Sequence, residues 1–269
     1  MTVTIFRRFF IALCALSFFT LSGCSNLLQT RTTHLYIASD STATDYSLEP
    51  DYLSKRFPQT GWGQVFQPLF TPESLPRLKF LAGMTKVEVR DKAKGGRSTR
   101  SFFEEGRWRE IYEALQAGDL VLIQFGHNDQ SKDKVDRYTP IDGYKQYLRL
   151  YVEQVRAKKA RPILVTSVNR NYPWVNGKLQ NSHGDYPQAV KDIAAEMKVD
   201  LIDLTQLSID HFTAKGEAYV SEHYFMHLPE SKYAGYPEGL TDNTHFQPEG
   251  AEAVAKLVFD ALTKLPATP

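Results

Sequence analysis

Four short segments of this 269-residue chain hold side chains suited to acyl transfer, and they lie far apart in sequence. The first is SDSTA, Ser39 to Ala43, directly after an apolar run. A serine on a tight turn can present its hydroxyl at a sheet edge while nearby N–H groups face an oxyanion, although Ser and Asp are also ordinary turn residues. The second is KGGRSTRSF, Lys94 to Phe102. Its paired glycines let the backbone approach a ligand, and Gly96 could aim its N–H at a developing oxyanion; a plain turn or a phosphate nest is the alternative, without P-loop spacing. The third is QFGHNDQ, Gln124 to Gln130, where Gly126 ends the run and Asn128 offers a side-chain N–H that does not titrate near neutrality. His127 and Asp129 could instead ligate a metal, but no nearby spacing completes a coordination set, so His127 reads as structural. The fourth is DNTHFQPEGA, Asp242 to Ala251, the one place where an aspartate stands three residues before a histidine. Such a carboxylate can fix the tautomer of His245 and stabilise its imidazolium.

Strand-length apolar runs recur along the chain, three of them leading into the first three segments, and the fourth segment stands just before a final helical stretch. The runs cover His34 to Ser39, Lys86 to Arg90, Leu120 to Phe125, Pro162 to Thr166 and Asp200 to Leu204, and several lack alternation, as strands buried on both faces should. Helical stretches fall between or after them at Ser101 to Leu115, Ile141 to Ala157, Tyr186 to Met197 and Pro248 to Leu262. The last has Pro248 suited to a first turn, Glu249 near the positive end, and Ala253, Leu257 and Ala261 spaced for one buried face. This alternation predicts one α/β domain, a three-layer α/β/α stack around a mostly parallel sheet of about five strands. Ligands of such sheets bind outside the carboxyl ends of the strands, where the chemical segments fall. No internal repeat, low-complexity segment or Pro/Gly linker divides the chain.

With 32 Lys+Arg against 31 Asp+Glu, the formal charge of +1 gives no electrostatic footprint for nucleic acid. The amino terminus is a different material: Arg7 and Arg8 precede an apolar stretch from Phe9 to Leu21, shorter than a membrane span needs, and then LSGC. That ending resembles the bacterial lipoprotein box and implies a signal peptide over 1–23, lipidation of Cys24 and a polar tether over 24–33 before a domain at 34–269. Ser25, rather than Asp, after the cysteine implies an outer-membrane lipoprotein of the cell envelope, periplasmic or on the surface. Multiple acyl chains would anchor it stably, whereas one would not. Loss of Cys14 with the signal leaves Cys24 as the sole thiol, so no intrachain disulfide forms and core packing must hold the domain.

Taken together and in order, SDSTA, Gly96, GHND and DNTH resemble the four blocks of the SGNH (GDSL-like) hydrolases, spanning Ser39 to His245. DSTA, GGRSTRSF, FGHND, HGDYP (His183 to Pro187) and DNTHFQPEGA are most similar to the rhamnogalacturonan acetylesterase, or pectin acetylesterase, branch. The resemblance implies a flavodoxin-like fold. It implies a Ser-His-Asp triad with Ser41 as nucleophile, His245 as general base then acid, and Asp242 as its orienter. Oxyanion donors would be the N–H groups of Ser41 and Gly96 and the Asn128 side chain. No cofactor is implied, and the substrate would be an acetylated pectic poly- or oligosaccharide. Ser39 departs from the usual Gly, which matters only if its side chain blocks the turn.

Arg97 and Arg100 could pair with a uronate carboxylate, and Trp62, Trp108 or Trp174 could stack on a sugar, against the ordinary reading of solvated arginines and core tryptophan. His223 and His227, at i and i+4 beside Glu222, match a metal spacing without an HExxH order and read better as a lid or surface helix. The rivals are an esterase acting on acetylated xylan, lipid or thioester, a noncatalytic glycan-binding lipoprotein, and a metal-dependent phosphoesterase built on His127, Asp129, Asp242 and His245.

Overall fold

The computed structural model describes residues 32–267. The expected signal segment, Cys24 and most of the tether therefore lie outside the described residues. Among the described residues no helix is long and apolar enough to cross a membrane.

In chain order the elements are β1 (Thr32–Ala38), β2 (Lys86–Asp91), α1 (Thr99–Glu104), α2 (Arg107–Ala114), β3 (Leu120–Gln124), α3 (Ile141–Ala157), β4 (Arg161–Val165), two-residue strands β5 (Trp174–Val175) and β6 (Lys178–Leu179), α4 (Tyr186–Met197), β7 (Asp200–Ile202), α5 (Leu204–Lys215), a single turn α6 (Glu217–Tyr219), β8 (Phe225–Leu228), β9 (Leu240–Phe246) and α7 (Pro248–Leu262). Five of the strands form a fully parallel sheet in the order β2-β1-β3-β4-β7. β3 is central and β1 lies beside it, paired on both sides, with Ile37 opposite Asp91 on one side and Leu122 on the other.

Side chains alternate between two cores, as period-two geometry requires. Leu35, Ile37, Leu120, Leu122, Ile163 and Val165 face a layer that includes α7 and the stretch from Trp62 to Leu81. Tyr36, Ala38, Val121, Ile123 and Leu164 face α1 to α4 through Phe102, Trp108, Tyr144, Tyr151, Val190 and Ile193. Both faces of the sheet are covered, giving the three-layer α/β/α architecture.

The differences from expectation have local causes. β1 starts at Thr32, two residues before the expected domain boundary, because Thr32 and Thr33 still pair with Lys86 and Val87. The single helix expected over Ser101 to Leu115 is two, because Gly106 adopts a left-handed φ of 77° that interrupts the spiral. Residues 46–81 hold only short 3-10 and π turns, since prolines at 50, 58, 68, 72 and 76 forbid a continuous helix. That stretch nevertheless supplies Trp62, Phe66 and Phe70, a ladder of edge-to-face rings ending on Phe259. The DNTH segment, which belongs to none of the expected strands, lies in β9 and pairs antiparallel with β8.

Candidate active site

Strand β1 ends in a turn wound around Asp40. Its carbonyl accepts from the amides of Ala43 and Thr44, both at 3.2 Å, and its carboxylate from the amide and hydroxyl of Thr42 at 2.9 and 2.8 Å. An Asx-type turn of this kind is locally encoded by the Asp side chain. It sets Ser41 on the rim, where Tyr46 Oη donates to the Ser41 carbonyl at 2.9 Å. Ser39 does not obstruct this: its side chain is fully buried and its carbonyl accepts from Lys94 N at 3.0 Å.

Beneath the turn runs a buried polar chain. Trp62 Nε1 donates to Gln124 Oε1 at 2.9 Å, and Gln124 Nε2 donates to Thr42 Oγ1 at 2.9 Å. Trp62 is 0 % exposed, so it is a strut under the serine turn and offers no face to a sugar; the expectation of a substrate contact there is corrected. Trp108 is likewise buried, stacked on Tyr151.

Each residue of GHND has its own attachment. Gly126 has φ +141°, and a Cβ there would lie 2.2 Å from Ser167 Oγ, so only glycine lets the chain leave β3 beside the loop after β4. His127 Nδ1 stands 3.3 Å from Asp40 Oδ2. Burial lowers the His127 pKa below the ordinary imidazole value in spite of Asp40. Burial also opposes ionisation of Asp40, but His127 and the Thr42 donors outweigh it and hold that carboxyl below its usual range. A neutral ring beside a carboxylate thus ties the β3 turn to the β1 turn. Asp129 Oδ1 accepts from Thr99 N at 3.0 Å and Thr99 Oγ1 at 2.6 Å, capping the start of α1, and burial pushes its pKa up to about 7. His127 and Asp129 therefore serve different partners. Among the described residues no group of three or more His, Cys, Asp or Glu is arranged to hold a metal ion.

Asn128 is oriented from both ends. Its Oδ1 accepts from Arg137 Nη1 at 3.2 Å and its Nδ2 donates to the Arg97 carbonyl at 3.0 Å. One N–H of the amide is left over. The amides of Ser41 and Gly96 likewise donate to no protein acceptor among the described residues.

The β8–β9 ladder is broken at the carboxylate-histidine pair. Phe225 pairs with Phe246 but the next residue, Met226, pairs with Asp242, so residues 243–245 are extruded from the ladder. Bulges of this kind re-aim side chains next to binding sites. Asp242 Oδ1 closes the extrusion by accepting from Thr244 N at 2.7 Å and His245 N at 3.2 Å, while its Oδ2 meets His245 Nδ1 at 2.6 Å. Partial burial works to raise the Asp242 pKa. The hydrogen bond and charge of His245, with the two amides, outweigh it and hold the carboxyl below its usual range. Such a pair fixes the ring with Nδ1 protonated and Nε2 as the basic nitrogen.

Ser41, Gly96, Asn128, Asp242 and His245 all line one cavity of about 710 Å³ at the carboxyl ends of β1, β2 and β3. Hydroxyl, imidazole, carboxylate and three free donors line one cavity from four separate segments of the chain, an arrangement able to take a proton from a serine and stabilise a tetrahedral oxyanion.

The cationic side chains differ from expectation. Arg97 lines the cavity, but its Nε donates to Glu105 at 3.0 Å and its Nη1 to the Gly95 carbonyl at 2.8 Å. Arg100 lies outside the lining, bound to Glu104, Val135 O and Tyr138 O. The guanidiniums of both are already committed, which corrects their assignment to substrate. Arg56 and Lys94 both reach Glu49, at 3.0 and 3.9 Å. The spacing of His223 and His227 has no helical meaning, because a π turn (Val220–Tyr224) gives way to β8 between them and His227 Nε2 meets Asn243 Oδ1 at 2.7 Å.

A profile of the GDSL-like lipase/acylhydrolase family matches residues 60–253, a range that begins after Ser41. The rhamnogalacturonan acetylesterase RhgT of Bacillus subtilis is 39% identical over 231 residues, 86% of this chain and 90% of its own. A rhamnogalacturonan acetylesterase of Emericella nidulans is 28% identical over 68% of this chain and 76% of its own. Among solved structures, protein YxiM of Bacillus subtilis superposes with a TM-score of 0.69 at 26% identity, over 87% of this chain and 57% of that one. An acetylxylan esterase of Geobacillus stearothermophilus shares the fold, with a TM-score of 0.54 at 16% identity over 88% and 96% of the two chains.

Proposed function

Because the chain belongs to the GDSL-like lipase/acylhydrolase family, we propose that it is a serine carbohydrate esterase that removes O-acetyl groups from pectic polysaccharide or oligosaccharide through an acyl-enzyme. The observation that carries the chemistry is the 2.6 Å bond from His245 Nδ1 to Asp242, on a pair that shares its cavity with Ser41. His245 Nε2 takes the Ser41 proton as Oγ adds to the acetyl carbonyl, and the oxyanion rests on the amides of Ser41 and Gly96 and on Asn128 Nδ2. The proton then passes to the departing sugar hydroxyl. Water, activated by the same ring, releases acetate and restores the serine. No step needs a cofactor.

The pectic substrate rests on the similarity to rhamnogalacturonan acetylesterases along most of both chains. Acetate release from acetylated rhamnogalacturonan is expected to exceed that from acetylated xylan in kcat/KM. Equal rates on the two would remove the pectic assignment while leaving the esterase. Asn128→Ala is expected to lower kcat roughly 10²–10³-fold on p-nitrophenyl acetate, the usual loss for one oxyanion donor. An unaltered kcat would take Asn128 out of the hole.

The amino-terminal reading belongs to the same proposal. A lipid on Cys24 would hold the enzyme at the cell envelope, next to incoming polymer or oligosaccharide.

A further inference from the structure

Arg170 stands apart from every other cation of the cavity. Arg56, Lys94 and Arg97 each have a carboxylate within 4 Å, and Arg137 has the exposed Asp136 at 3.6 Å. Arg170 has none among the described residues, although it is half-buried and lines the same cavity as Ser41 and His245. Its guanidinium is held by neutral groups only: Nη1 donates to Tyr172 Oη at 2.9 Å, Nη2 to the His127 carbonyl at 3.3 Å, and Nε is buried without a partner. A partly desolvated guanidinium with no counter-charge is costly unless an anion arrives to meet it.

The position of this charge is fixed with respect to the chemistry. The His127 carbonyl that anchors Nη2 belongs to the residue before Asn128, and the amide of Asn171 donates to the Asn243 carbonyl at 2.9 Å, inside the extruded 243–245 segment. Arg170 and its neighbour Asn171 therefore join the Asn128 turn to the His245 strand beside the cavity. An ester docked at Ser41 shares its cavity with that guanidinium.

We propose that Arg170 binds the carboxylate of a uronic acid residue in the substrate, seating the ring that bears the acetyl ester or its neighbour. The proposal rests on the pectic reading above and goes further by naming the group that recognises the acid. A planar guanidinium suits a carboxylate because parallel N–H donors meet both oxygens. Arg170 acts on binding and takes no part in bond making.

The test compares wild type, Arg170→Gln and Arg170→Lys on three substrates: p-nitrophenyl acetate, an acetylated rhamnogalacturonan oligosaccharide with free carboxylates, and the same oligosaccharide methyl-esterified. In Arg170→Gln the ratio of kcat/KM on the acidic oligosaccharide to that on p-nitrophenyl acetate should fall roughly 10- to 100-fold, as loss of a charge-assisted contact implies. The loss should lie in KM, Arg170→Lys should recover part of it, and methyl esterification should abolish the difference between wild type and variant. Equal losses on the acidic oligosaccharide and on p-nitrophenyl acetate would make Arg170 a structural tie and overturn the proposal. So would an unchanged ratio, or a methyl ester cleaved by wild type as well as the free acid. A wild type that cleaves p-nitrophenyl acetate but releases no acetate from either oligosaccharide would instead overturn the pectic reading, and the Arg170 assignment with it.

Discussion

Ser41→Ala is expected to lower kcat on p-nitrophenyl acetate roughly 10⁶-fold, the scale on which losing a nucleophile equals losing a whole triad. The fold should not notice. The Ser41 side chain carries no hydrogen bond to protein among the described residues, and the contact that Tyr46 makes is to its backbone carbonyl, which alanine retains. The turn is wound by Asp40 and Thr42 instead. Thermal melting should therefore stay within about 0.5 kcal/mol of wild type, as for a substitution that removes no packing or buried bond. A folded variant that keeps turnover within tenfold of wild type would show that another group attacks the ester.

Asp242→Asn should cost roughly 10⁴-fold in kcat with little change in KM, and the reason is geometric. Oδ1 of the present carboxylate accepts from the amides of Thr244 and His245, at 2.7 and 3.2 Å. An asparagine must keep its oxygen there, so its NH₂ is forced to face His245 Nδ1. Nδ1 would then have to be the unprotonated nitrogen, and Nε2 would carry a hydrogen toward Ser41 where a base is needed. Steady-state kinetics on p-nitrophenyl acetate check this, and a loss of less than tenfold would mean that the carboxylate does not set the tautomer. The carboxyl should remain ionised below the usual titration range of aspartate, because His245 and the two amides lower its pKa against the effect of burial. Its contribution to stability is then present above the unfolded-state value and is lost only as pH falls through the depressed folded one.

Much of this was legible in the residues. The strands around Ile37, Leu122 and Ile163 read as continuous apolar runs because both faces of the sheet are covered. The ends of α3, α4 and α7 agree with the expected stretches, each interrupted by turn chemistry on both sides. Helix α5 escaped because Leu204, Leu207, Ile209 and Phe212 do not gather into one stripe; only Asp203, which caps Gln206 N, marks its start. The bulge in β9 escaped because a register shift is a property of two strands, and nothing in Asp242 to Phe246 alone specifies it. Arg97, Arg100 and Trp62 were misplaced for a related reason. Their types suit a sugar acid, but whether a side chain is spare depends on its partners, and those lie 62 residues away for Trp62. Arg170 carried one available signal, its position just beyond the carboxyl end of β4, where ligands of such sheets gather.

The separation of Ser41 on the first strand's turn from His245 on the last strand has a consequence for the order in which the molecule becomes competent. A ribosome delivers the attacking oxygen about two hundred residues before the base that must deprotonate it. Nascent chains and carboxyl-terminal truncations ending ahead of residue 245 are thus born inert, whatever else of the sheet they have assembled.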